Sequence, residues 1–149
     1  VRAPEWPPAG SPALPSEFWL STILLFVISA LLVVAERAAD DGSSSRLTRT
    51  LTAATALGVA FILSQVAGWA RLAGASELPQ NNLYLFGIYV LSFLHVLHVA
   101  GGLVPLVWTA LRSRGGQYTP TDHEGVTATA MYWHFLGVVW LGILAVLAL

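Results

Sequence analysis

The hydrophobic positions of this 149-residue chain fall into four long blocks, parted by short polar stretches. They cover about 18–35, 50–70, 83–111 and 126–149, and each can cross a bilayer at about 20 residues per span. A lone strand leaves its backbone unpaired in lipid, so the blocks predict helices. The expectation is an all-α integral membrane protein with four transmembrane helices.

The stretches between the blocks set the boundaries. Prolines at 4, 7, 8, 12 and 15 make residues 1–17 an extended lead-in to a four-helix domain over 18–149. Ser16 is placed to cap the first span. Glu36 and Arg37 close it, and "ADDGSSS" reads as a turn. Arg71 and "AGASELPQNN" follow the second span. The third block is the longest, and Pro105 after Gly101-Gly102 is a candidate bend. Thr121 and Glu124 have capping-box spacing ahead of the fourth.

Arg37, Arg46 and Arg49 lie in the first loop and Arg112 and Arg114 in the third, on one side; Arg2 and Arg71 lie on the other. The positive-inside rule then places both termini on the outer, periplasmic side. Trp19, Trp69 and Tyr84 on that side, and Trp108 and Tyr132 on the inner side, stand where interface anchors belong.

Small and polar residues mark the helix faces that touch protein. Thr22, Ser29 and Glu36 recur every seventh residue on the first span, and Gly58, Gln65 and Gly68 form a stripe on the second. Ser92, His95, His98 and Gly102 follow at steps of three or four on the third; His134 and Gly137 share a face of the fourth.

Composition then narrows the chemistry. Hydrophobic residues make up 56% of the chain and charged ones 10%, against about 25% charged in an average domain. No cysteine is present, which excludes disulfides and thiolate sites. All seven basic residues are arginine and the net charge is −1, which argues against nucleic acid as a partner. The start, "VRAPEWPPAG", reads as the middle of a longer sequence.

Three histidines lie inside the apolar blocks, and three roles compete for them: haem or metal ligand, proton relay, or helix tie. His95 and His98, three apart, can share one side of the third helix. His134 sits at a depth differing from that of His98 by roughly 8 Å, at 1.5 Å rise per residue. Paired haem ligands prefer matched depth on facing helices, and carboxylate-bridged metals need glutamates, which the four blocks lack. A relay also needs carboxylates. The favoured reading is neutral histidines bonding across helix interfaces, with no catalytic, cofactor-binding or metal residue in this chain. For His134 this means a hydrogen bond to another helix or to a partner. His123, in the third loop, reads as solvated, and the tryptophans as lipid anchors.

Four stretches together resemble one family. "YWHFLGVVWL", with Trp133, His134 and Trp140, is similar to the closing signature of subunit III of the haem–copper terminal oxidases. "SFLHVLHVAGG", with Ser92, His95, His98 and Gly102, is similar to the signature of its penultimate helix. "LTAATALGVAFILSQ", ending on Gln65, and "WPPAGSPALP" with "FWLSTILLFVISA" resemble the two helices before. The resemblance places the chain as the last four helices of a seven-helix subunit, or of a five-helix bacterial one, and so as a fragment or a shortened variant. The family has an Asp where Gly137 stands, a Glu at Gly68 and a Gly at Val96.

The resemblance implies a non-redox accessory subunit of a proton-pumping cytochrome c oxidase in aerobic respiration, in a bacterial inner membrane. Haem and copper would belong to partner subunits, subunit I above all and subunit II beside it. Membrane phospholipid would be bound, and Gln65, Ser92, His95, His98, Gly102, Trp133, His134 and Trp140 would be family-signature or helix-interface positions. Two alternatives stay open: an accessory subunit of a related quinol oxidase or nitric oxide reductase, and an independent four-helix b-type haem protein.

Overall fold

The computed structural model describes residues 13–75 and 83–148; the proline-rich stretch up to residue 12 and most of "AGASELPQNN" lie outside them. The described residues form α1 (Ser16–Asp40), α2 (Ser44–Ala75), α3 (Leu83–Arg114) and α4 (Glu124–Ala148). All four are long and apolar enough to cross a membrane. Each packs against two neighbours, α1 on α2 and α4, and α3 on α2 and α4, which closes an antiparallel ring. One end of the bundle carries the start of α1 and the finish of α4, here the terminal end. The other carries the α1–α2 and α3–α4 connections, here the hairpin end.

The helices outrun the apolar blocks. At about 1.5 Å per residue, the 32 residues of α2 and of α3 each reach about 48 Å, beyond the about 30 Å of hydrocarbon. Their polar ends project, and α2 takes in Arg46 and Arg49. The expected turn shrinks to Asp41–Ser43. There α1 stops in a Schellman motif, with Ser43 N–H donating to Ala38 O (2.9 Å) and Gly42 N–H to Ala39 O (3.0 Å). Gly42 takes φ +69°, open to glycine without strain.

Two boundary signals act differently from expectation. Ser16 is the first residue of α1, not its cap; Pro15 holds that position and no side chain caps the helix. Its hydroxyl turns to Glu17 instead. Thr121 lies outside α4 and meets Thr119 at 3.3 Å. Pro105, the candidate bend, lies inside the continuous α3, and Thr109 donates to its carbonyl at 2.7 Å.

In lipid, burial of apolar surface gives helices little reason to associate, so close backbone approach and polar bonds carry the packing. A Cβ on Gly58 would fall 2.7 Å from Leu103 and 3.0 Å from Trp133, and one on Gly68 3.0 Å from Phe18. The expected α2 stripe of Gly58, Gln65 and Gly68 is therefore its inner face. Trp133, Trp140, Phe18 and Phe61 fill the centre.

Candidate functional site

Side-chain bonds cross all four seams of the ring. At α1–α4, Ser29 Oγ bonds His134 Nδ1, and two turns nearer the terminal end Trp140 Nε1 donates to Thr22 Oγ1 at 2.9 Å. Both α1 partners come from the seven-residue pattern of Thr22, Ser29 and Glu36. At α3–α4, Trp133 Nε1 donates to Gly102 O (3.2 Å), Tyr132 to His98 O (3.1 Å) and Tyr84 to Leu147 O (3.0 Å). At α2–α3, Trp69 Nε1 donates to Ser92 Oγ at 2.9 Å and Thr48 to Ser113 at 3.0 Å.

The α1–α2 seam carries a connected string. Gln65 Nε2 donates to Ser21 Oγ (2.7 Å), Ser21 and Ser64 share a bond (2.8 Å), and Ser64 donates to Glu17 O (3.0 Å). Glu17 in turn pairs with Arg71 at 2.8 Å on the rim of the terminal end.

His95 sits in an aromatic box. Its ring stacks on Trp140 (centroids 5.0 Å, 28°) and meets Phe61 edge-on at 5.7 Å. Phe61 and Phe18 also stand edge-on to Trp140, each at 5.7 Å. All four helices thus contribute to one buried layer. His98 does not join it: it is exposed, with Nδ1 on Leu94 O of its own helix (2.7 Å). Residues three apart differ by about 60° around a helix, enough to turn His98 out of the stripe that Ser92, His95 and Gly102 keep.

The three membrane histidines therefore diverge: His134 to Ser29, His95 into the aromatic layer, His98 outward. Thr109 lies beside Thr129 and Gly102 beside Leu136. That register sets His134 level with Val104, about 9 Å along the axis from His98. Among the described residues, no three of His, Cys, Asp and Glu converge as a metal cluster would require.

Several anchor readings need correction. Trp19 and Trp108 face outward, as interface residues do. Trp69, Tyr84 and Tyr132 instead spend their polar atoms on neighbouring helices, and Trp133 and Trp140 are fully buried. In a small bundle a large ring with one polar atom fills the centre and ties a seam together. His123 is also no free loop residue: Nε2 meets Asp40 at 3.0 Å and Nδ1 meets Thr119 O at 3.2 Å. It fastens the third loop to the end of α1.

Between α1 and α4 lies a groove of about 190 Å³, lined by Thr22, Ser29, His134, Gly137, Val138 and Trp140 among others. His134 and Gly137 share this face, and a Cβ on Gly137 would meet no atom within 4 Å.

Comparison with known families now decides the relationship. The model of cytochrome c oxidase subunit III matches residues 3–148. This chain belongs to the subunit III family. A cytochrome c oxidase subunit 3 of Synechocystis is 33% identical over 142 residues, covering 93% of this chain and 59% of the relative. That of Ornithorhynchus anatinus is 32% identical over 138 residues, covering 91% and 52%. A probable subunit 3 of Nocardia farcinica is 27% identical over 147 residues, covering 94% and 69%. The chain thus spans little more than half the length of the first two.

The residues expected to be family-signature or helix-interface positions occupy these places in the bundle. Trp133, His134 and Trp140 leave α4 toward α3, α1 and the centre respectively. Ser92, His95 and Gly102 face inward from α3, and Gln65 from α2. Sequence reasoning missed Ser21 and Ser64; their only signal was being hydroxyls within apolar blocks.

Proposed function

We propose that this chain is a non-redox accessory subunit of a cytochrome c oxidase, packed on the catalytic subunit that holds haem and copper. The complex would reduce oxygen and move protons across a bacterial inner membrane, with this subunit supporting its stability and proton uptake. Subunit II and annular phospholipid would complete its surroundings, and the arginine distribution supports an orientation with both ends of the described bundle on the outer side. The observation that carries the reading is the subunit III match over residues 3–148. The side chains support a scaffold: the signature residues tie helices together, and the diverging imidazoles do not fit a haem or copper ion within this chain. In this role Gln65, Ser92, His95, Gly102, Trp133, His134 and Trp140 hold the bundle, while His98 faces its surroundings.

The test is extraction of tagged chain from its native membrane in mild detergent. The expected result is co-migration on a native gel with a haem–copper partner, whose Soret band is absent from the chain purified alone. A chain that migrates by itself, or that carries stoichiometric haem, would overturn the proposal.

A further inference from the structure

The buried core contains two polar groups whose bonding is incomplete. His95 is 2% exposed and Gln65 is 0% exposed. Both ring nitrogens of His95 and the Oε1 of Gln65 have no hydrogen-bond partner in the protein. Buried polar groups in folded proteins are overwhelmingly paired, with protein or with ordered water. At this burial neither a lipid nor a docked chain reaches them.

The neighbouring polar atoms are already engaged. Ser92 donates to Ile88 O and accepts from Trp69. Thr22 donates to Phe18 O and accepts from Trp140. Ser21 and Ser64 serve each other, Gln65 Nε2 and Glu17 O. Phe61, edge-on to His95, offers at most a weak aromatic acceptor.

The two incomplete groups share Phe61 as a neighbour. Gln65 stands one turn from Phe61 on the same face of α2, and the Phe61 ring lies 5.7 Å from that of His95. A neutral imidazole has one N–H donor and one acceptor nitrogen, and an amide oxygen accepts only. The acceptor Oε1 needs a donor, and the N–H needs an acceptor. A molecule that both donates and accepts, and is small enough for a packed core, meets both needs.

We propose that His95 and Gln65 hold an internal water molecule in the centre of the bundle. The His95 N–H donates to the water oxygen, and the water donates to Gln65 Oε1. Together the two side chains supply the two to four polar partners a buried water requires. The string from Gln65 through Ser21 and Ser64 to the Glu17–Arg71 pair gives a polar route between this site and the rim. The inference concerns this chain's own interior and stands apart from the oxidase assignment.

The test uses the full chain in lipid nanodiscs with ¹⁵N-labelled histidine. Magic-angle-spinning NMR would read magnetisation transfer from water to the imidazole N–H protons, with His95→Phe assigning the His95 signal. The expected result is a His95 N–H cross-peak to a slowly exchanging water in the wild-type chain, lost or reduced at least several-fold in Gln65→Leu. Either of two wild-type results would overturn the proposal: a His95 N–H that receives nothing from water, or one bonded directly to Gln65 after side-chain rotation. Neither result needs Gln65→Leu, and sequential backbone-to-ring correlations in the wild-type chain assign His95 should His95→Phe fail to fold, so a failed substitution does not shield the idea.

Discussion

Gly101 and Gly102 are adjacent on α3, and alanine at the two should have opposite effects. A Cβ on Gly102 would sit 2.7 Å from Cε1 and 3.1 Å from Cδ1 of Tyr132, and 3.3 Å from Leu136. The ring cannot bend out of its plane, and its hydroxyl is tied to His98 O at 3.1 Å. Relief requires the whole ring to swing, which gives up that bond, or α3 and α4 to separate, which stretches the 3.2 Å bond from Trp133 to Gly102 O. Overpacking of this kind costs about 1–3 kcal/mol, and a lost interhelical bond in lipid adds about 0.6 kcal/mol. Alanine offsets up to about 1 kcal/mol through helix propensity, and less where helices persist in the unfolded state. The net expectation for Gly102→Ala is a loss of about 1–2 kcal/mol. At Gly101 the new Cβ would meet only the Tyr132 hydroxyl, at an ordinary 3.9 Å. Gly101→Ala should be neutral or stabilising by up to about 1 kcal/mol. Reversible unfolding in mixed micelles, titrated with SDS and followed by tryptophan fluorescence, measures both. Tyr132→Ala placed on Gly102→Ala should recover most of the packing loss. Equal effects at the two glycines, or no recovery, would refute the packing argument.

Other bonds give further expectations. In a double-mutant cycle, Ser29→Ala with His134→Phe should show a coupling of about 0.6 kcal/mol, and not above about 2; the same unfolding titration reads it, and zero coupling would deny that this bond holds α1 to α4. Tyr84→Phe, which removes the donor to Leu147 O, should cost a similar about 0.6 kcal/mol and speed amide hydrogen exchange in the last turn of α4. Trp140→Phe should free Thr22 from its donor and cost more than Tyr84→Phe, because a cavity opens beside His95 and Phe61. His123→Ala, at the half-exposed contact with Asp40, should cost at most about 1 kcal/mol, and that loss should shrink at high salt; a salt-independent loss would point to packing instead.

Much of the architecture is written in the chain. Four apolar blocks in lipid leave the backbone no alternative to four helices, so element type and number follow from solvation alone. Patterns of small and polar residues located inner faces too: Thr22 and Ser29 face α4, and Gly58, Gln65 and Gly68 face the core. These faces are legible because a helix repeats with a fixed period, and a stripe needs no knowledge of its partner. The resemblance of "YWHFLGVVWL" to subunit III was legible for a different reason, since four motifs in register constrain one another over nearly the whole chain.

What the sequence left open was how side chains divide their bonds between lipid, partner and neighbour. Trp19 and Trp69 look alike in the chain; one faces outward and the other donates to Ser92. His95 and His98 belong to one motif, yet a rotation of about 60° sends one into an aromatic box and the other out of the bundle. His123 found Asp40 only because the α1–α2 and α3–α4 connections meet at one end. Each outcome depends on the depth and rotation of a second helix, quantities set jointly by the close approaches at Gly58, Gly68 and Gly102. Solvation by lipid, a property of each block alone, fixes that there are helices; their mutual register, a property of pairs, is decided only when the helices pack.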